Sequence, residues 1–410
     1  MKVSMPRGLF RSGSVRPVRT LVALVALAGL AAGTAACNDD VDRPAASASP
    51  SALRSGSAPP VDVLTESRAL VERLYQGTYR PPDPTVRIAA KAKKIALLSP
   101  SQASPSAAIP VNAAAEAAEA LGWTATVLDM QYDPKRAPGL VREAINSGVN
   151  AIISVVDCGY APDAFAEAKT KGILIAPLFA FDCTDPTVAG APGPSQFTTF
   201  VNWGDGQIDN AKSIAAAGSI AASVLIAATN GTAKVLSFTD PTSTILTYTN
   251  AGFLAQMARC TGCKVLESVN LVSAEGPAAL QAKVRDALAR HPDANAIRSS
   301  HSSATQQFIA PALVASGRQN DVIVVGGEGQ DKDLDLIRTK QGLNFTLNTD
   351  TAWFGWTVVD TVNSAFNGEK PRPNGLGGML VDKDHNLPPS GPVQHNVNYK
   401  NVYRKAWGVG

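Results

Sequence analysis

The chain has 410 residues and 45% hydrophobic content, enough for a large core divided into more than one domain. Its formal charge of +3 includes five basic residues near the start (Lys2, Arg7, Arg11, Arg16, Arg19), and without them the body carries −2. A near-neutral body gives no case for nucleic-acid binding.

The basic start runs into an apolar stretch at 21–30 (LVALVALAGL), then small residues, then Cys37. That stretch is too short to span a bilayer and matches the apolar region of a secretory signal. Thr34-Ala35-Ala36-Cys37 reads as a bacterial lipobox, with Thr34 where Leu is commoner. Residues 1–36 are therefore expected to be a lipoprotein-type signal peptide, with Cys37 the lipidated N-terminus. The mature chain would be exported and anchored to the outer face of the cytoplasmic membrane. An ordinary cleaved signal that leaves Cys37 a free thiol is the alternative. Residues 37–62, rich in Ala, Ser, Pro and Asp, read as a flexible tether. Residues 63–92 form an N-terminal extension with a short amphipathic helix at 63–75.

A regular rhythm begins at Lys94. Residues 94–98 (KIALL), 124–128 (TATVL), 151–156 (AIISVV) and 173–178 (ILIAPL) have strand composition. Between them lie helical stretches at 112–121, 139–146 and 163–170, closed by Gly122, Gly148 and Gly172. Alternation at this spacing predicts βαβ units on a parallel sheet, and near-continuous apolar strands predict a sheet covered on both faces. Residues 99–110 read as a Ser- and Pro-rich loop. It carries no phosphate-cradling glycine motif.

Residues 196–201 return to strand composition. The rhythm then restarts, with helices at 208–229, 248–257, 276–290, 304–316, 332–339 and 352–366. Strands are predicted at 233–238, 264–269, 294–299, 322–326 and 344–348. The remainder is Pro- and Gly-rich up to a terminal segment at 399–407. The fold class is α/β: two doubly wound parallel-sheet lobes with a ligand cleft between them.

Beyond Cys37 there are four cysteines, Cys158, Cys183, Cys260 and Cys263, which suggests two disulfides with three possible pairings. Cys158–Cys183 is favoured because both follow strands of one sheet at its carboxyl edge. Cys260–Cys263 then closes a very short loop. A single CxxC with scattered histidines argues against zinc. Asp331, Asp333 and Asp335 alternate like a calcium loop, but Leu336 stands where glycine is required, so they are expected to decorate a helix N-terminus. Residues 299–303 contain His301 among serines, yet no GxSxG elbow exists, so a hydrolase is not expected. No cofactor, metal or catalytic residue is expected.

The ordered set KKIALLSP, EAAEALGW, VLDMQYDP, AINSGVNAIISVVD and AEAKTKGILIAPL carries a resemblance. So do NAGF, ALARHPDANAI, VIVVGGEGQ and WFGWTVVDTVNSAFNGEKP in the second half. From Lys93 to Trp407 the chain resembles a type I periplasmic binding protein of the sugar-binding kind. The resemblance implies a three-strand hinge with crossovers near Asn202, Thr349 and Met379. One lobe would comprise 93–202 plus 350–378, the other 203–349 plus 379–410. It also implies a ligand that bridges and closes the lobes.

Site residues implied by the resemblance begin in the first loop, with Ser101, Gln102 and Ser104. There Ser104-Pro105-Ser106-Ala107 replaces a tetrad that usually stacks aromatics on the sugar. Phe179, Phe181 or Trp203 would supply that face instead. Asp157, Asp182 and Asn202 match polar positions after strands and at the first crossover. In the second lobe the set is Asp240, Tyr248, Asn250, His301, Glu328, Thr349 and Asp350. Tyr248-Thr249-Asn250 stands where an Arg is usual and contains none, and Ser300-His301 replaces a usual Asn-Asp.

The expected function is capture of a small polar ligand, a sugar above all, for delivery to an ABC-type permease in the membrane. The chain would act as a monomer without enzymatic activity. Alternatives are a receptor that presents its ligand to a membrane sensor, and a cationic or amino-acid-like solute, suggested by the many carboxylates.

Overall fold

Lys94 opens the first strand, and the five residues after it are all buried. In the computed structural model, which describes residues 62–190, 192–202 and 210–410, this strand is central to a four-stranded sheet. The expectations for residues 1–61, Cys37 among them, and for Trp203 lie outside the described residues.

The first sheet contains β1 (Lys94–Ser99), β2 (Thr124–Asp129), β3 (Ala151–Ser154) and β4 (Leu174–Pro177) in the order β2-β1-β3-β4, all parallel. The helices between them are α2 (Pro105–Ala120), α3 (Ala137–Asn146) and α4 (Pro162–Thr170), and α1 (Val63–Tyr75) precedes the sheet. The second sheet repeats the plan. It contains β5 (Lys234–Thr239), β6 (Lys264–Asn270), β7 (Ala296–Arg298) and β8 (Ile323–Val325) in the order β6-β5-β7-β8. Its helices are α5 (Asn210–Ala228), α6 (Thr244–Met257) and α7 (Pro277–Arg290). Between β7 and β8 come α8 (Ser302–Ala304), a π-helical turn at Thr305–Ile309 and α9 (Ala310–Ala315). After β8 come α10 (Asp331–Arg338), β9 (Thr346–Asn348), α11 (Thr351–Phe366), β10 (Met379–Val381) and α12 (Tyr399–Trp407).

Side chains alternate across each strand, so each sheet feeds two cores. Ile95, Leu97 and Ile153 pack under α2 and α11, while Ala96, Leu98 and Ile152 pack over α3 and α4. In the second sheet Leu236, Phe238 and Ile297 face α7 and α9, and Val235 and Ala296 face α5 and α6. Helix α5 is long and apolar enough to cross a membrane by length and composition. Here it packs against α6 at very close range. A Cβ on Gly218 would meet the Thr249 carbonyl at 1.8 Å, and one on Gly252 would meet that of Ala215 at 1.9 Å, so only glycine permits this crossing.

Several local expectations need correction. Helix α2 starts at Pro105, so the loop after β1 is short; proline suits the first helical turn, where its missing N–H costs nothing. Residues 196–201 form no strand. Thr198 donates its N–H to the Ile175 carbonyl, but Ile175 N–H turns to the Thr198 hydroxyl at 2.7 Å, and a side chain replaces the ladder. The Pro- and Gly-rich tail hides β10, which pairs antiparallel with β9.

The ends of the chain also depart from the expected division. In the N-terminal extension Asp62 caps helix α1, accepting from Leu64 and Thr65 N–H, and Leu74 enters the α5–α6 core. The segment after Met379 does not stay with the second sheet. Leu380 is in that sheet's core, but Tyr399, Tyr403 and Trp407 of α12 are buried with α2 and α11 of the first. The reason is aromatic packing. Trp353 stacks on Tyr399 at 4.6 Å and Trp356 on Trp407 at 5.4 Å. The chain therefore passes between the two sheets more often than three times, and the described residues belong to one compact unit.

Candidate ligand-binding cleft

In both sheets the strand order reverses direction between the first and third strands, which opens a crevice beyond their carboxyl ends. The two crevices face one another across a cavity of about 650 Å³. Ser104, Val156, Asp157 and Phe179 line it from the first sheet, and Asp240, Arg298, His301 and Glu328 from the second.

The strand-end loops also bond to each other directly. Ser104 Oγ lies 2.8 Å from Ser303 Oγ, and Ser106 Oγ donates to Glu328 Oε2 at 2.9 Å. Thr244 N–H donates to Asp157 Oδ2 at 3.3 Å, and the Tyr160 hydroxyl to the Thr242 carbonyl at 2.7 Å. At the rim the Tyr248 hydroxyl bonds Asp185 at 2.9 Å. These contacts hold the two sheets' loops in a closed arrangement.

The titratable groups on the wall respond to burial. Burial raises the Asp157 carboxyl to about 6 and the Glu328 carboxyl to about 7. It lowers His301 to about 4, so that imidazole is neutral at pH 7. The His301 Nδ1 pairs with Ser300 Oγ at 2.8 Å.

The expected site residues divide into groups. Ser104, Asp157, Asp240, His301, Glu328 and Thr349 line the cavity. Ser101, Gln102, Phe181, Asp182, Asn202, Tyr248, Asn250 and Asp350 do not. Asp182 instead organises the loop after β4, accepting from Cys183 N, Ser195 Oγ, Gln196 N and Phe197 N. Gln102 turns to Ser99 Oγ, and Ser101 Oγ accepts from Ala103 N. Asp350 caps α11 and pairs with His395 at 2.9 Å. Phe181 packs on Tyr248, 5.2 Å between ring centroids. Of the expected aromatic faces, Phe179 reaches the cavity, tilted against Phe354 at 4.7 Å. Trp353 and Trp356 are core residues.

Both disulfides are present: Cys158–Cys183 ties the carboxyl ends of β3 and β4, and Cys260–Cys263 closes the turn after α6. Asp331 and Asp333 sit in the first turn of α10, where Asp333 and Gln330 form a capping box.

Several cleft residues escaped the sequence reading, among them Tyr132, Tyr160 and Arg298. Arg298 ends β7 and is among the residues that line the cavity, although α6 offers no arginine. The signal was an arginine closing an apolar strand, Ala-Ile-Arg.

The family model described as "Periplasmic binding protein domain" matches residues 95–370. The chain belongs to the periplasmic binding protein domain family. A search of curated proteins finds no match to it. Solved structures share the fold of this periplasmic binding protein at low identity. An ABC transporter solute binding protein from Agrobacterium vitis, bound with alpha-D-tagatopyranose, superposes with TM-score 0.61 at 18% identity, covering 72% of this chain and 97% of that one. One from Mycobacterium smegmatis with bound glycerol gives 0.59 at 20%, covering 74% and 100%. The 5-methylthioribose transporter solute binding protein from Thermotoga lettingae gives 0.57 at 17%, covering 71% and 84%. The family is a binding scaffold, in keeping with the expectation of no enzymatic activity.

Proposed function

We propose that this periplasmic binding protein captures a small polar solute, a sugar above all, between its two sheets and hands it to an ABC-type permease. The observation that carries the reading is the cavity of about 650 Å³ at the facing strand ends, a size suited to a small molecule. Its wall mixes carboxylates, hydroxyls and an aromatic face, the groups that polyhydroxylated ligands use. The structural relatives bound with tagatose and glycerol, and the transporter protein for 5-methylthioribose, support the ligand class and the transport setting. We further propose that export, with lipid attachment at Cys37, keeps the chain at the outer face of the membrane as a monomer. The hinge is proposed to lie at the crossings near Asn202, Thr349 and Met379.

A thermal-shift screen of the purified protein over sugars, sugar acids, polyols, amino acids and polyamines tests the reading, because a ligand of the native state raises the melting temperature. A sugar or polyol derivative should stabilise the protein, and Asp157→Ala should diminish the shift. Stabilisation by polyamines or amino acids alone would defeat the sugar reading.

A further inference from the structure

Most of the polar groups in the cleft are already used by the protein itself. Asp157 accepts from Phe181 N–H at 2.9 Å and from Thr244 N–H at 3.3 Å. Asp240 accepts from the N–H and hydroxyl of both Thr242 and Ser273. Glu328 takes its hydrogen bonds, from Ser106 Oγ, Ser302 N–H and Gln330 Nε2, on Oε2 alone. His301 engages Ser300 through Nδ1. Glu328 Oε1 and His301 Nε2, beyond the ends of the neighbouring strands β8 and β7, are left for a ligand's hydroxyls. Among the described residues no Asn, Gln or Lys side chain lines the cavity.

Much of the remaining wall is apolar. Ile214, Ala217, Ala221 and Val224 line the cavity from α5 at spacings of three and four residues, so one face of that helix borders it. Ala217 is exposed, and Ile214 and Ala221 are half-buried. Phe179 and Leu347, also half-buried, line the same space. The apolar stretch 211–228 of α5 is only 33% buried. Apolar surface kept in contact with water is unfavourable, and a contiguous apolar face marks a place where something binds. The loops of the two sheets already bond across the cleft, at Ser104–Ser303 and Ser106–Glu328, so the cavity is the space that remains in the closed arrangement. At about 650 Å³ it is larger than a single sugar ring fills and within the range of pockets for drug-sized ligands.

We infer that the solute is a glycoside: a sugar whose hydroxyls meet Glu328 and His301, carrying an aryl or alkyl aglycone that lies along the apolar face of α5. This deepens the proposed function and rests on it. A bare sugar would leave the α5 face wet. A wholly apolar solute would leave Glu328 Oε1 and His301 Nε2 without partners.

Calorimetric titration of the purified protein with matched probes tests this: glucose against phenyl and hexyl β-glucosides, galactose against phenyl and hexyl β-galactosides, and phenol and hexanol as aglycones alone. A glycoside should bind at least about tenfold more tightly than its parent sugar and than its free aglycone, the scale of burying one apolar group of that size. Ala217→Asp places a charge on the α5 face and should remove most of that advantage. Ala216→Asp, at an exposed position of the same helix that does not line the cavity, should keep it.

A parent sugar that binds as tightly as its glycosides, or glycosides that fail where a sugar or polyol of the wider screen binds, overturns the inference and leaves the solute-binding reading standing. An advantage untouched by Ala217→Asp overturns the placement of the aglycone on α5. An aglycone that binds alone as tightly as its glycoside overturns the inference and the sugar reading together. Failure of every probe, here and in the thermal-shift screen, sinks the solute-binding reading and the inference with it. If Ala217→Asp does not fold, the paired titrations of the wild-type protein decide.

Discussion

Ser106, in the first turn of α2, donates its hydroxyl to Glu328 in the loop after β8, and Glu328 also accepts from Ser302 N–H at 3.1 Å. One carboxylate thus joins loops from both sheets, and it serves the closed cleft as a latch as well as facing the cavity.

Glu328 should leave a pH signature. Burial raises its carboxyl from an ordinary 4.5 to about 7 in the folded protein. Its contribution to stability is therefore fully present below pH 4.5 and is lost as pH rises through about 7. Glu328→Gln removes this titration. The melting temperature of the variant minus that of wild type should climb between about pH 4.5 and 7 and level off above. Differential scanning fluorimetry of both proteins across that range checks it, and a flat difference would show an ordinary carboxyl.

The two disulfides should contribute unequally. Cys158–Cys183 spans 25 residues and Cys260–Cys263 spans 3. On chain-entropy grounds the longer loop is worth about 3.5 kcal/mol and the short one much less. Cys158→Ser/Cys183→Ser should lower the denaturation midpoint well below that of Cys260→Ser/Cys263→Ser. Intact-mass analysis before and after reduction should count two bridges.

Asp360 and Arg372 form a buried ion pair, with side chains 4% and 1% exposed, and Trp407 Nε1 donates to the same carboxylate at 2.8 Å. Arg372→Met strands that carboxylate and should cost about 3–5 kcal/mol in chemical denaturation. The double substitution Asp360→Leu/Arg372→Met should recover part of the loss. A double variant as unstable as the single would count against this account.

Trp407 is 1% exposed and stacks on Trp356 with an interplanar angle of 3°. Trp407→Ala should cost about 3–5 kcal/mol, as expected for an aromatic removed from a core. Hydrogen exchange should then rise in α2 and α11, which share its core, and not in α7. Increased exchange confined to the second sheet would contradict the placement of α12.

The repeated strand–helix rhythm was legible because it is local. A strand such as 94–98 or a helix such as 139–146 announces itself by the period of its apolar residues, and each structured counterpart lies where that period put it. The pairing of Cys158 with Cys183 was legible for a related reason, since adjacent parallel strands bring their ends together. Asp157 and Glu328 were legible as cleft residues because both follow strands. Asp182 follows a strand too, but its four donors come from its own loop, and strand-end position alone does not separate those cases.

By itself, then, the amino-acid sequence determined two α/β repeats and their facing strand ends, and favoured one pairing of the bridges that brace them, because periodicity and chain order act over short distances. Tertiary structure alone decided which charges are satisfied and where the tail packs. Ser106 and Glu328 are 222 residues apart, and α12 joins the core that contains Ile95. Arg298 looks like any strand-end arginine until its Nη1 is seen to donate to the Phe238 carbonyl, 60 residues away. Such partners are chosen by packing in three dimensions, where burial makes each unmade bond costly.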